Sequence, residues 1–254
     1  MPVASYNGVK LHVQRLGTEG PPAVLLHGLL VGNMASWYFT TAPALARTHR
    51  VLAYDLRGHG KSERTPGGYD VATMARDLEA IADDFAPRPE ALTLVGHSYG
   101  AVVALAFALR HPARVAKLVL VEAPLPQSRL DELEAFVARP VDAMPAALPP
   151  ALIGALARGG RQGARFVESL RFLAMESSLF GDLRRAEDIP DDALARLRVP
   201  TLCVYGTRSS CLPVGERLAR VIPGAKLLRI EGGHFLPSEA PRALTDAITE
   251  FLDG

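Results

Sequence analysis

Short apolar runs at 9–13, 23–26, 51–54, 92–95, 118–121, 202–205 and 227–230 alternate along this chain with helical periodicity at 40–46, 72–84, 101–109, 214–221 and 242–252. Most runs are continuously apolar, as in Leu118-Val119-Leu120-Val121. A strand with one wet face alternates polar and apolar residues, whereas a strand covered by helices on both faces does not have to. The pattern therefore predicts an α/β fold built on a doubly wound, mainly parallel sheet.

The alternation fails once. Residues 125–198 are rich in Ala, Leu, Arg and Pro, with amphipathic pieces at 130–137, 151–157, 166–175 and 191–197 and no convincing strand. A crossover between parallel strands needs only about a dozen residues. The segment is expected to be a helical cap, residues 125–198, inserted into a core formed by residues 1–124 and 199–254.

Chemistry is concentrated at the run ends. Gly96-His97-Ser98-Tyr99-Gly100 follows the apolar run 92–95 and precedes the helical stretch 101–109. A strand entering a helix through Gly-x-Ser-x-Gly turns sharply, and its serine stands at the carboxyl end of the sheet, where open α/β folds bind ligands. His27-Gly28-Leu29-Leu30 follows an earlier strand, and His234 lies in Glu231-Gly232-Gly233-His234-Phe235 after the last one. In these motifs the chain resembles the α/β-hydrolase superfamily. The resemblance implies that Ser98 is a nucleophile, that His234 is its base, and that the backbone N–H groups of Leu29 and Tyr99 form an oxyanion hole. It also implies a cap entering after the sixth core strand and covering the serine. His27, His59 and His97 are expected to shape the site rather than transfer protons, and Asp55 and Arg57 to brace it.

The acid departs from the pattern. Relatives commonly read Gly-x-x-Asp after the strand at 202–205, but here the residues are Gly206-Thr207-Arg208-Ser209, with no Asp or Glu from Gly206 through Gly215. A neutral serine does not stabilise an imidazolium as a carboxylate does. The acid has moved, the site works as a dyad, or hydrolysis is lost. Glu122 directly follows the run 118–121, where some branches of the superfamily hold the acid, and it is the candidate for orienting His234. A strand-end salt bridge or simple solvation is the competing role for Glu122.

Serine at the elbow separates this chain from dehalogenases and epoxide hydrolases of the same fold, which use Asp there to form an alkyl ester. Acyl transfer through an acyl-serine is the expected chemistry, on a small apolar ester, thioester or lactone. A lyase, cyclase or acyltransferase of a biosynthetic pathway is the second reading, and a binding protein that has lost its acid the third. Met34 and Trp37 after the oxyanion loop, Phe172 and Met175 on a cap helix, and Phe235 beside the base are candidates for substrate contact, each with a core role as the alternative. Arg158, Arg161 and Arg165, interleaved with glycines, are either a solvated helix end or a cradle for an anionic carrier of the acyl group.

A net charge of +1 with 22% charged residues points away from nucleic acid and acidic membrane surfaces, toward a small-molecule substrate. The N-terminus lacks the features of a signal peptide, and no run approaches the roughly 20 apolar residues of a membrane span, so cytoplasm is the default. Cys203 and Cys211 are too few for a disulfide framework or a Cys-rich zinc site. No cofactor or metal is expected, and Cys211 reads as a small loop hydrophobe. Nothing in the sequence sets an oligomeric state.

Overall fold

Eight strands, β1 (Val3–Tyr6), β2 (Val9–Leu16), β3 (Pro22–Leu26), β4 (Arg50–Tyr54), β5 (Leu92–His97), β6 (Val115–Val121), β7 (Thr201–Gly206) and β8 (Lys226–Ile230), make one sheet ordered β1-β2-β4-β3-β5-β6-β7-β8. The architecture is that of a computed structural model, which describes residues 3–125, 130–139, 143 and 160–254. The pairs β1·β2 and β2·β4 are antiparallel, and every other neighbouring pair is parallel. This is the α/β fold that the alternation predicts.

Successive strand residues enter different cores, which explains the continuous apolar runs. Leu94, Leu118 and Leu120 join one cluster, while Val95, Val119 and Val121 join the other. Two short helices, α1 (Ala35–Tyr38) and α2 (Thr41–Leu45), cover the second face, and α3 (Val71–Phe85) and α4 (Tyr99–Arg110) the first. The α3 helix starts where the side chain of Asp70 accepts the Thr73 N–H at 2.8 Å, an N-cap that satisfies one orphan donor.

Between β6 and β7 the described elements are helical: α5 (Leu130–Val137), α6 (Gly160–Arg171), a π-helical stretch Phe172–Glu176, α7 (Leu179–Arg184) and α8 (Asp191–Leu194). The amphipathic piece expected at 151–157 lies outside the described residues, as do Arg158 and Gly159. After β7 come α9 (Leu212–Val221), α10 (Leu236–Glu239) and α11 (Pro241–Asp253), with Leu218 of α9 in the first core and Leu244 and Ile248 of α11 in the second. No helix among the described residues is long and apolar enough to cross a membrane.

One strand was not expected. β1 pairs with β2 through a hairpin whose turn residues, Asn7 and Gly8, both have positive φ, 49° and 76°. Asn-Gly is the preferred pair for such a type I′ turn, because both central residues must adopt left-handed φ. That dipeptide was the available signal. The four residues of β1 are too few, and too exposed apart from Tyr6, to show a pattern of their own.

Candidate active site

Ser98 occupies the turn between β5 and α4 with φ 54° and ψ −127°, a conformation that costs a non-glycine residue on the order of 1–3 kcal/mol. Its surroundings hold it there. The Ser98 N–H donates to the Val121 carbonyl of the neighbouring strand at 2.8 Å. A Cβ at Gly96 would stand 2.5 Å from Ala101 Cα, and one at Gly100 would stand 2.5 Å from the His27 carbonyl oxygen. Both elbow glycines are therefore required by close backbone approach, and the serine is carried to the sheet's carboxyl edge.

His234 lies in the loop between β8 and α10. Its Nε2 is 2.9 Å from Ser98 Oγ, and its Nδ1 is 3.0 Å from Glu122 Oε2. Glu122 comes from the next strand over, directly after β6, with φ 54° and no solvent exposure. Burying a carboxylate is costly unless donors compensate. Here the Gly206 N–H donates to Oε1 and the Ser209 hydroxyl donates to Oε2. The Glu122 N–H donates to the Val204 carbonyl at 2.9 Å, which fixes the strained backbone beneath the carboxylate. Ser209, at the position where the resemblance leads one to expect Asp, thus touches Glu122, the candidate acid.

Cys211 completes this corner in a way the sequence did not disclose. Its N–H donates to Ser209 Oγ at 3.1 Å, and its Sγ lies 3.7 Å from His234 Nδ1. It is fully buried, as a small hydrophobe would be.

Three further histidines fix loops. The His97 Nε2–H donates to the His234 carbonyl at 2.8 Å, holding the backbone of that residue. Burial, helped by the neighbouring His234, pushes the His97 pKa down to about 3. His27 and His59 form a matched pair: the first accepts the Leu56 N–H on Nε2, the second the Leu30 N–H, each at 2.9 Å. Each therefore carries its proton on Nδ1, donated to the carbonyls of Gly28 and Arg57 at 2.7 and 2.8 Å. Burial lowers both, and His59 reaches about 3. These neutral rings tie the loop after β3 to the loop after β4. Below them Asp55 accepts the Met34 N–H at 2.8 Å and the Lys61 N–H at 3.0 Å, and Arg57 makes two 2.7 Å bonds to Asp77.

A cavity of about 420 Å³ opens over Ser98 and His234, walled by Leu29, Val31, Val102, Phe136, Leu183 and Phe235 among others. Leu29 and Tyr99 both line it, and Tyr99 is the first residue of α4, a position whose N–H has no intrahelical acceptor in an α-helix.

Of the residues put forward for substrate contact, only Phe235 lines this space. Trp37 is fully buried in the second core, where its indole N–H donates to the Leu26 carbonyl at 2.9 Å. Met34 is buried in the same cluster because α1 turns its apolar side to the sheet rather than to the cavity. Phe172 packs on the outside of the first core with the Arg64 guanidinium 5.7 Å above its ring, and Met175 is 74% exposed on the surface. Leu133 and Phe136 of α5 and Leu183 of α7 line the cavity instead. For Leu133 and Phe136 the available signal is the amphipathic piece at 130–137, whereas Leu183 lies on α7, outside every amphipathic piece expected in this segment.

The arrangement can pass a proton from Ser98 to His234 while Glu122 faces the developing imidazolium charge. The chain is similar to known proteins over nearly its whole length. Epoxide hydrolase A of Mycobacterium tuberculosis is 29% identical, the match covering 98% of this chain and 95% of that one. The dihydrolipoyllysine-residue acetyltransferase component of the acetoin cleaving system of Pseudomonas putida is 32% identical over 98% of this chain and 68% of its own. The crystal structure of the enol-lactonase from Burkholderia xenovorans LB400 superposes over the whole of both chains with a TM-score of 0.80 at 23% identity, a likeness of fold. A family model described as alpha/beta hydrolase fold matches residues 21–152, and the chain belongs to that family.

Proposed function

We propose that the protein is a serine hydrolase that cleaves a small apolar ester, thioester or lactone through an acyl-serine intermediate. The observation that carries this reading is the hydrogen-bonded line Ser98 Oγ, His234 Nε2, His234 Nδ1, Glu122 Oε2, with links of 2.9 and 3.0 Å, opening on a largely apolar cavity. Ser98 Oγ attacks the carbonyl carbon as its proton passes to His234 Nε2. Glu122 keeps the Nδ1–H oriented and offsets the imidazolium charge. The carbonyl oxygen, now an anion, is received by the N–H groups of Leu29 and Tyr99. The leaving alkoxide or thiolate departs with the proton from His234, and water, activated by the same ring, releases the acid from Ser98.

The helices between β6 and β7 act in this account as a cap, with Phe136 and Leu183 enclosing the acyl group. A cavity of about 420 Å³ suits a small molecule rather than a long lipid chain. Ser98 stands where epoxide hydrolases of this fold use Asp, which argues against epoxide opening despite that relative. A second reading, acyl transfer to an acceptor other than water, has the acetyltransferase relative in its favour.

The test is a fluorophosphonate probe together with p-nitrophenyl acetate and butyrate. Labelling of the native protein and not of Ser98→Ala, with turnover in buffer alone, supports hydrolysis. Labelling with an acyl-enzyme that persists until a thiol or amine is added supports transfer, and absence of labelling overturns both.

A further inference from the structure

Cys211 has no part in those steps, yet its Sγ lies 3.7 Å from His234 Nδ1, across the ring from the nitrogen that faces Ser98. Sγ, Nδ1 and a Glu122 carboxylate oxygen lie within 4.8 Å of one another. Thiolate, imidazole and carboxylate are zinc donors, bound at about 2.3, 2.0–2.1 and 2.0–2.2 Å. Sulfur and nitrogen at those radii around a tetrahedral ion stand about 3.6 Å apart, close to the separation found.

We propose that Glu122, Cys211 and His234 form a binding site for a thiophilic divalent cation, Zn²⁺, Cd²⁺ or Hg²⁺, and that filling it switches off turnover. On binding, the thiol proton leaves to solvent and the Nδ1 proton gives way to the metal. The neutral ring then carries its proton on Nε2. An Nε2–H facing Ser98 Oγ is a donor and accepts nothing, so the serine loses its base. One thiolate and one carboxylate balance the two positive charges, so the filled site is neutral where the empty one carries the single negative charge of Glu122. The sulfur selects soft ions, and Mg²⁺ and Ca²⁺ are not expected to compete.

The binding claim stands on geometry alone, and the inhibition claim rests on the proposed role of His234. Cadmium separates the two when the thiolate-to-cadmium ultraviolet band and ester turnover are followed in one titration. The expected result is a band that saturates at one ion per chain while turnover falls in step, restored by EDTA and untouched by Mg²⁺. With only two cysteines in the chain, Cys203→Ala should keep both responses, which assigns the sulfur to Cys211 without altering it. Cys211→Ala should lose the band and need at least about tenfold more Cd²⁺ for half-inhibition, relative to its own metal-free rate. Absence of a band in the native protein overturns the site. A band that fills without loss of turnover overturns the switch, as does Cys211→Ala that is inhibited at the native concentration.

Discussion

Ser209 donates its hydroxyl to Glu122 Oε2, the same oxygen that stands 3.0 Å from His234 Nδ1. From the sequence, Ser209 is only the place an acid has vacated, and its replacement would be expected to matter little. The geometry gives it a positioning role. Ser209→Ala should lower kcat by roughly ten- to a hundredfold with KM nearly unchanged, the loss expected for a hydrogen bond to a charged group worth about 1.5–3 kcal/mol. Steady-state kinetics on a chromogenic ester check this, and an unaltered kcat would leave Ser209 without that role.

The two positions share one oxygen's surroundings, so the acid should be movable. Glu122→Gln combined with Ser209→Asp should regain at least about tenfold in kcat over Glu122→Gln alone, because a carboxylate at 209 reaches the same ring nitrogen from β7. Purely additive losses in the double variant would mean that the β7 position no longer addresses His234.

Stability should fall with acid earlier than carboxylate titration alone predicts. Burial holds His59 and His97 at about 3 in the folded protein, against about 6.5 in the unfolded chain. Between these values the unfolded state binds more protons, so unfolding free energy rises with pH. The stabilisation from neutral rings is complete above about pH 6.5 and is lost progressively down to about pH 3. Near pH 5 the two rings should together take up about two protons on unfolding. Urea midpoints measured from pH 7 to 4 give this slope directly, and a flat profile between pH 7 and 5 would contradict it.

Acyl-chain selection should answer to the wall between β6 and β7. Leu183 is buried and lines the cavity together with Val102 and Phe235. Leu183→Trp should raise KM for hexanoyl and longer esters at least about tenfold while acetyl esters change by less than about threefold. Equal effects on all chain lengths would place the acyl group elsewhere.

The sheet was legible because both of its faces are covered: the apolar runs are short, continuous and separated by turn residues, so seven of the eight strands fall where they are expected. β1 was hidden by its brevity, and only Asn7-Gly8 announced it. The elbow could be read locally, since strand, glycine pair and helix are contiguous. Glu122 is a candidate because the usual acid position holds Ser209 and because the resemblance implies that some branches of the superfamily carry the acid on that strand. What no local pattern carries is which side chains meet across strands. That Cys211 reaches the ring of His234, that Ser209 reaches Glu122, and that Trp37 turns away from the cavity are outcomes of packing between segments far apart in sequence. The positive φ of Glu122 is of the same kind: it is imposed by the β6 and β7 backbones that hold it.

The central claim is that Glu122, from the end of β6, orients the base that activates Ser98. The most direct test is kcat of Glu122→Gln on an ester that the native protein turns over, with circular dichroism and melting to establish that the variant is folded. Glutamine keeps the shape and the Gly206 hydrogen bond but removes the charge facing the imidazolium. The account predicts that kcat falls by about 10³ to 10⁴. A folded Glu122→Gln protein with kcat within about threefold of native would contradict it.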